Sequence, residues 1–508
     1  MKYFYILGLY LTLNPWLAFS QKWDYQWPMG YEFLSTTIPD ISLLDFTQDT
    51  LSIYGYAFVN NLGFGRNASF ICDADGQIQL VTNNCAVYDT DFQLVMGSDS
   101  LTPGWGYDTH CGDQSYGGYI GIQLNVFLPQ IGSDSIVYLA HKDNIINDVP
   151  FDVLSTKLYV STLVRKSDGT YYLKEKRQML QGLYNTNRLT ACLHADGDKW
   201  WAGGMVNYNS NEFNWVLIGG EQDTVQGPFA QAIGPTLLNQ KIGISQIAFS
   251  PDAQKLAFNS DVLHQVFLYD FDNTTGLLSN PRQLSYPAGE DEIGLGVSFS
   301  LDSKLLYANT GNNLYQLDPA DSSVVHIAFH ASLDEDNWPV NMGNITLGPD
   351  CRMYIDPGST TYYIHVVHHP NERGAACGFE ARALRSPSNL VFNIPNLPMY
   401  RFNGACDSTI QFPYKDTVSV AVQLPSMEEE GALVFPNPVR DHFTVQFQER
   451  VPSQAVLQLY DGLGRAVLER ELPAYNNVFE AGGLAPGGYF YRVVAGGRIL
   501  GSGNVLKT

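Results

Sequence analysis

The sequence predicts an all-β protein: a β-propeller of about seven blades over residues 21–412, followed by a small antiparallel β-sandwich over 433–508. Three observations carry this reading. The chain is only 16% charged but 13% aromatic, with 46 glycines, a mixture that suits many short strands joined by tight turns better than helices. One hairpin phrase, an alternating strand, an Asp-centred turn and a second strand, returns along the first 400 residues at the spacing of propeller blades. The charge balance then changes: residues 21–432 hold 21 basic and 45 acidic side chains, whereas 433–508 hold 7 and 6.

The first twenty residues read as a signal peptide. Lys2 precedes a short apolar run broken by Asn14-Pro15, and Ala18-Phe19-Ser20 places small residues at the positions a signal peptidase requires before Gln21. The run is short for a membrane span, and no later stretch reaches the length of one. Export agrees with the seven cysteines. Cys72–Cys85 and Cys351–Cys377 are each spaced to close a hairpin-sized loop, although seven cysteines allow other pairings.

The recurring phrase appears as "SFICDADGQIQLVT" (69–82), "LTACLHADGDKWWAGGMV" (189–206), "ISQIAFSPDAQKLAFNS" (244–260), "LGVSFSLDSKLLYANT" (295–310) and "GNITLGPDCRMYIDPG" (343–358). Asp252, Asp302 and Asp350 are about 50 residues apart. A four-stranded blade cannot bury both faces alone, so units at this period stack into a ring. Further strands such as "HQVFLYDFD" (264–272) and "NNLYQLDP" (312–319) complete the blades; two β-sandwiches would not repeat one phrase at blade spacing.

Residues 413–432, with Glu428-Glu429-Glu430 beside Pro425 and Gly431, read as a solvated linker. Strands are then expected at 432–435, 441–448, 454–460, 464–470 and 488–495. Along this unit lie Pro436-Asn437-Pro438, Tyr460-Asp461-Gly462-Leu463-Gly464-Arg465, Leu484-Ala485-Pro486-Gly487-Gly488-Tyr489 and Val505-Leu506-Lys507. In this order the phrases closely resemble the type A C-terminal sorting domain of the type IX secretion system of Bacteroidetes, with Gly488 as an extra residue. The resemblance implies recognition by an outer-membrane translocon, then cell-surface attachment or release. The body is similar to uncharacterised surface propellers of the same phylum through "LTACLHADGDKWW", "LYDFDNTTGLLSNP" (268–281) and "HVVHHPNERGAACGFE" (365–380). That likeness bears on architecture and export rather than on an activity.

Chemistry-bearing patterns are sparse. In a strand, His365 and His369 point to one face and His368 to the other, so "HVVHH" does not present three convergent ligands. No HExxH, GxSxG or phosphate-binding glycine loop is present, and "GFGRNASF" (63–70) lacks the helix that a phosphate cradle needs. The acidic loops "GEDEIG" (289–294) and "LDEDNWP" (333–339) carry oxygen ligands suited to Ca²⁺ but not the spacing of a helix-loop-helix calcium site. Trp200-Trp201 suits either core packing or a sugar or peptide face.

A net charge of −22 excludes nucleic acid as a natural partner. No catalytic, metal or cofactor-binding residue is assigned. The sequence reading is of an exported, monomeric scaffold with two kinds of partner: the sorting machinery at its C-terminal unit, and an extracellular protein or glycan at its propeller. The alternative reading is a propeller hydrolase or lyase acting on a glycan or lactone.

Overall fold

Four of the Asp turns share one local device. The carboxylates of Asp196, Asp252, Asp302 and Asp350 each accept the backbone N–H two residues ahead. The residue between adopts positive φ: Gly197 (75°), Ala253 (53°), Ser303 (61°) and Cys351 (68°). An Asp side chain closing such a turn reverses the chain within a few residues, so the two arms pair directly. Each turn links the first and second strands of a blade.

The computed structural model describes residues 22–30, 41–56, 64, 66–111, 118–119, 121–148, 151–185, 187–220, 222–237, 245–260, 263–289, 292–413, 432–435, 439–447, 455–461, 465–474, 476–485, 487–495 and 498–507. The leader (1–20), the linker apart from its end residues, the Pro436-Asn437-Pro438 turn and Gly464 lie outside them. The chain divides into two units, Met1–Gln423 and Leu424–Thr508.

Among the described residues of the first unit, seven antiparallel sheets follow one another in chain order. Blade 1 is Gln26–Met29, Ile41–Asp45 and Ser52–Tyr56; blade 2 is Ser69–Cys72, Ile78–Thr82 and Val87–Tyr88. Blade 3 has Asn125–Pro129, Ile136–Lys142, Phe151–Arg165 and Tyr171–Asn185, with Ile145–Asp148 alongside. Blades 4 to 7 have four strands each and begin with Thr190–Leu193, Ile247–Phe249, Gly294–Phe299 and Ile345–Leu347.

The sheets pack face to face through shared apolar clusters. Trp201, Phe213 and Trp215 of blade 4 meet Phe249, Phe258 and Phe271 of blade 5, with ring centroids 5.5 Å apart for Trp215–Phe249 and 4.8 Å for Phe249–Phe271. Tyr307 and Leu314 of blade 6 meet Ile345 and Met353 of blade 7. Trp27, Leu43 and Phe46 of blade 1 pack on both Phe70 of blade 2 and Tyr354, Ile364 and Leu384 of blade 7, which closes the ring. Ser42 of blade 1 also bonds Ser386 and Ser388 of blade 7, each at 2.7 Å. Fold class and blade number therefore agree with the sequence reading.

The cysteine pairing requires correction. The disulfides are Cys85–Cys111 and Cys351–Cys406, leaving Cys72, Cys192 and Cys377 as buried thiols. Cys72 faces Ile78 across its hairpin and directs its thiol to the Gln26 carbonyl, so Cys85 lies beyond its reach. Cys85 instead meets Cys111, which follows the short helix Trp105–His110. Cys377 is buried in the apolar cluster of blades 6 and 7, while Cys351, at its positive-φ turn, bonds Cys406. The Cys351–Cys406 bridge closes a 55-residue separation, for which loop entropy predicts a loss of about 4 kcal/mol in a Cys406→Ser variant. Thermal unfolding checks this: the variant is expected to melt below the oxidised protein, and an unchanged midpoint refutes a stabilising bridge.

The second unit is a sandwich with its own core. One sheet holds Ala432–Phe435, His442–Phe447 and Asn476–Glu480; the other orders Ala466–Glu471, Val456–Tyr460, Gly487–Ala495 and Arg498–Lys507. Phe443, Val445, Leu457, Leu459, Tyr489, Val493 and Val505 fill the space between them. The strands Asn476–Glu480 and Arg498–Lys507 are additional to those expected from the sequence, the last of them ending on the Val505-Leu506-Lys507 phrase.

Candidate functional site

The first place to look for a propeller's ligand is the channel between its innermost strands. Here the chain itself occupies that space. After blade 7, residues 391–404 (VFNIPNLPMYRFNG) run among the inner strands without forming a strand. Asn396 anchors the passage: its N–H donates to Ala68 O (2.9 Å) in front of blade 2, and its Nδ2 donates to Asn125 O (2.8 Å) of blade 3 and Leu189 O (2.9 Å) before blade 4. Met399 N donates to Ala191 O of blade 4, and Asn403 N to Pro251 O of blade 5. Phe392 N and Ile394 N bond Pro357 O and the Asp356 carboxylate, next to blade 7. One short segment thus satisfies its backbone on most of the ring, as a buried irregular chain must.

Two glutamines complete the axial belt. Gln123 exchanges both amide bonds with Ile247, donating to its carbonyl at 2.9 Å and accepting its N–H at 2.9 Å. Gln246 does the same with Ile345, at 2.8 Å for each bond. Each amide takes the place that a neighbouring backbone would have in a sheet.

Arg401 Nη2 donates to both carboxylate oxygens of Asp24, an ion pair with side chains 4% and 1% exposed that ties the axial segment to blade 1. Burial pushes the Asp24 carboxyl upward, and the Arg401 guanidinium opposes that shift. The space left among Asp24, Gln246, Ser298, Met399 and Arg401 is about 50 Å³. That admits water but is far below the ~300 Å³ at which small-molecule pockets begin.

The other sequence candidates are dispersed. His365 is buried: its Nε2 bonds Asn341 O at 3.2 Å and its Nδ1 accepts the Arg382 N–H at 3.4 Å. Burial, with His330 and Arg382 nearby, holds it neutral and lowers its pKa to about 3. His368 pairs with Glu380 at 2.9 Å, and His369 is exposed. Among the described residues, no three His, Cys, Asp or Glu side chains converge as metal ligands.

In the loop at 333–339, Asp334 accepts the N–H groups of Asp336 and Trp338, and Glu335 pairs with Arg385 and Tyr363. In the loop at 289–294, Glu290 and Asp291 lie outside the described residues, while Glu292 bonds Gly289 N and Asn313. Trp200 and Trp201 are both buried, donating to Pro129 O and Asn273 O. Trp200, Trp201 and His365 are therefore packing positions. The axial segment was the feature sequence reasoning passed over; its signal was an apolar stretch with Pro395 and Pro398 breaking every strand pattern.

In the C-terminal unit, Asp461 closes the turn before Arg465, accepting its N–H at 3.0 Å and its Nε at 2.8 Å. Tyr489 is buried and donates its hydroxyl to Ala485 O at 2.8 Å, clamping the loop that carries Leu484. Gly487 (φ 153°) opens the strand that follows. Tyr460 lies at the end of its strand, with the Arg492 guanidinium over its ring. Lys507 ends the last strand, bridged to Val439.

Residues 433–501 match the family model of the secretion system C-terminal sorting domain. The chain is therefore a type IX secretion cargo, a β-propeller followed by its sorting domain, destined for the cell surface or the extracellular space. No curated protein matches the chain. Its propeller is similar to solved structures at low identity. A protein from Lactobacillus plantarum is 12% identical with a TM-score of 0.39, covering 73% of this chain and 97% of that one. The periplasmic gluconolactonase PpgL of Pseudomonas aeruginosa gives the same identity, coverage and TM-score. A putative 6-phosphogluconolactonase from Bacteroides fragilis is 10% identical, with a TM-score of 0.36, covering 73% of this chain and 96% of that one. No helix among the described residues is long and apolar enough to cross a membrane.

Proposed function

We propose that this protein is a Bacteroidetes surface or secreted scaffold whose propeller binds an extracellular protein or glycan and carries out no catalysis. Export begins with the signal peptide at 1–20 and is completed by the sorting domain at 433–508. The observation that supports the non-catalytic reading is the filled axis. Residues 391–404 take up the channel, and the acid–base pair there, Asp24–Arg401, is committed to holding that segment. Among the described residues, the space of about 50 Å³ left there suits water rather than a lactone or sugar ring. Ligand binding is then a property of the rim and of the outer blade surfaces. The acidic body favours cationic or uncharged partners over anionic polymers.

Two experiments test the reading. The purified mature protein is assayed on lactones and polysaccharides and in parallel on a glycan and peptide array. Turnover that disappears with an axial-channel substitution would overturn the scaffold; binding without turnover is the expected result. A reporter fused to 433–508 is expected at the surface of a type IX-competent host and in the periplasm of a type IX-deficient one. Equal surface display in both hosts would refute the sorting function.

A further inference from the structure

Three half-buried side chains, His330, Ser332 and Arg382, converge where the chain passes from blade 6 to blade 7. Residues 332–340 form a loop closed at its base. Val340 N donates to Ser332 O at 2.8 Å, and Leu333 bridges Pro339. Ser332 is thus fixed at the root of the loop. His330 donates its N–H to Asn312 O at 2.8 Å, and its ring meets that of His365 in blade 7 edge-on, with centroids 5.1 Å apart. Arg382 comes from a bulge in the last strand of blade 7, Phe379–Leu390. Ile364 pairs with Leu384 and Val366 with Glu380, so His365 alone opposes three residues. Arg382 is the middle one and has a φ of 52°. A bulge re-aims a side chain, and left-handed backbone at a residue other than glycine is a strain that functional sites retain.

The direction of each hydrogen bond follows from the chemistry of the groups. A guanidinium only donates. Arg382 Nη2 donates to Ser332 Oγ at 2.7 Å and also to Leu333 O. Ser332 Oγ lies 2.8 Å from His330 Nε2. Among the described residues the hydroxyl proton has no other acceptor, so Ser332 donates to Nε2 and the ring proton of His330 sits on Nδ1. Burial, with the Arg382 charge beside it, lowers the His330 pKa, which keeps Nε2 free to accept. The hydroxyl therefore lies between a base that can take its proton and a cation that favours negative charge on its oxygen. An adjacent base of this kind is what turns a serine into a nucleophile. Leu333, 55% exposed, follows Ser332 and supplies an apolar edge.

We infer that Ser332 is a nucleophile that accepts an acyl group from a carboxylic ester, with His330 as its base and Arg382 as the cation that steadies its oxygen. The bond from Oγ to the carbonyl carbon forms and the ester C–O bond breaks. The hydroxyl proton passes to His330 Nε2 and from there to the departing alkoxide, so the products are acyl-Ser332 and an alcohol. Nothing is oxidised or reduced, and the ester supplies its own leaving group. The inference goes beyond the scaffold reading without needing turnover: an acyl group taken up once per chain holds a ligand covalently.

The test incubates the purified mature protein with p-nitrophenyl acetate. A fast phase of p-nitrophenolate release is expected, with the acetyl group assigned to Ser332 by peptide mass spectrometry. Ser332→Ala is expected to lose both, with an unchanged thermal unfolding midpoint. His330→Ala is expected to slow acetylation about a hundredfold, the usual scale of a general base, and added imidazole is expected to restore part of the rate. Acetylation of Ser332 no faster than that of the exposed Ser279 overturns the assignment. An unchanged rate in His330→Ala overturns it as well. Release that continues past one equivalent and vanishes in Ser332→Ala upholds the nucleophile and overturns the non-catalytic reading instead.

Discussion

An Arg401→Met variant is expected to lose about 3–5 kcal/mol at pH 7, the usual cost of stranding a buried charge. The reason is geometric. Asp24 is 1% exposed, and Arg401 contributes both of its carboxylate contacts from a side chain. Without the guanidinium, the Asp24 carboxyl is left in a low-dielectric site and its pKa rises further above its ordinary value. A carboxyl whose folded pKa lies above its unfolded one stabilises the fold while protonated, and that stability is lost as pH rises through the interval between the two. The variant's deficit should therefore shrink toward pH 4 and widen toward pH 8, the reverse of simple acid denaturation. Asp24→Asn placed on top of Arg401→Met should recover most of the loss at pH 7, because the uncompensated charge is gone. Urea midpoints at three pH values read all of this. A deficit that does not change with pH would mean that Arg401 acts by packing alone.

The same pair shows which parts of the molecule local sequence can encode. The blades were legible because each Asp turn is closed by its own carboxylate two residues away, and the alternating arms then need only each other. Asp252, Asp302 and Asp350 could be located without knowing anything distant. The axial segment could not: Asn396 means nothing until Ala68, Asn125 and Leu189 converge around it from three blades. The disulfides failed for a related reason. Sequence spacing favoured hairpin-closing pairs, whereas Cys351 bonds Cys406 only because the chain passes through the ring and returns beside blade 1, where Gln411 N donates to Asp49 O.

In the sorting unit, motif phrases located Asp461, Tyr489 and Lys507. The strand Asn476–Glu480 was missed because it is short and polar-edged, with Val478 64% exposed, so it carries no apolar alternation to read. Gly501 and Gly503 likewise mask the length of the last strand.

Lowering the pH from 6.5 to 5 should destabilise the propeller through His141 and His365, by about 2 kcal/mol each, given 1.36 kcal/mol per pH unit. Both are buried and held neutral, with pKa values lowered to about 3. His365 cannot accept a second proton without pointing it at the Arg382 N–H that Nδ1 already receives, and His330 and Arg382 add like charge beside it. His141 is stacked on Tyr159 and bonded to Ser161, with Lys176 contributing repulsion.

The unfolded chain takes up these protons near pH 6.5 and the folded chain does not. Stability is therefore full above 6.5 and falls as pH drops toward 3. Asp356 opposes this slope over part of the range: burial raises its carboxyl to about 8, so it favours the folded state at acid pH and loses that contribution as pH rises from about 4 to 8. The net loss in wild type is accordingly smaller than the two histidines alone would give. Comparison with a His365→Gln variant isolates one of them. The variant starts less stable at pH 7, yet its loss between pH 6.5 and 5 should be about 2 kcal/mol smaller than that of wild type. Parallel pH profiles for the two proteins would show that His365 takes up its proton in the folded state and that the Asn341–Arg382 niche does not hold it neutral.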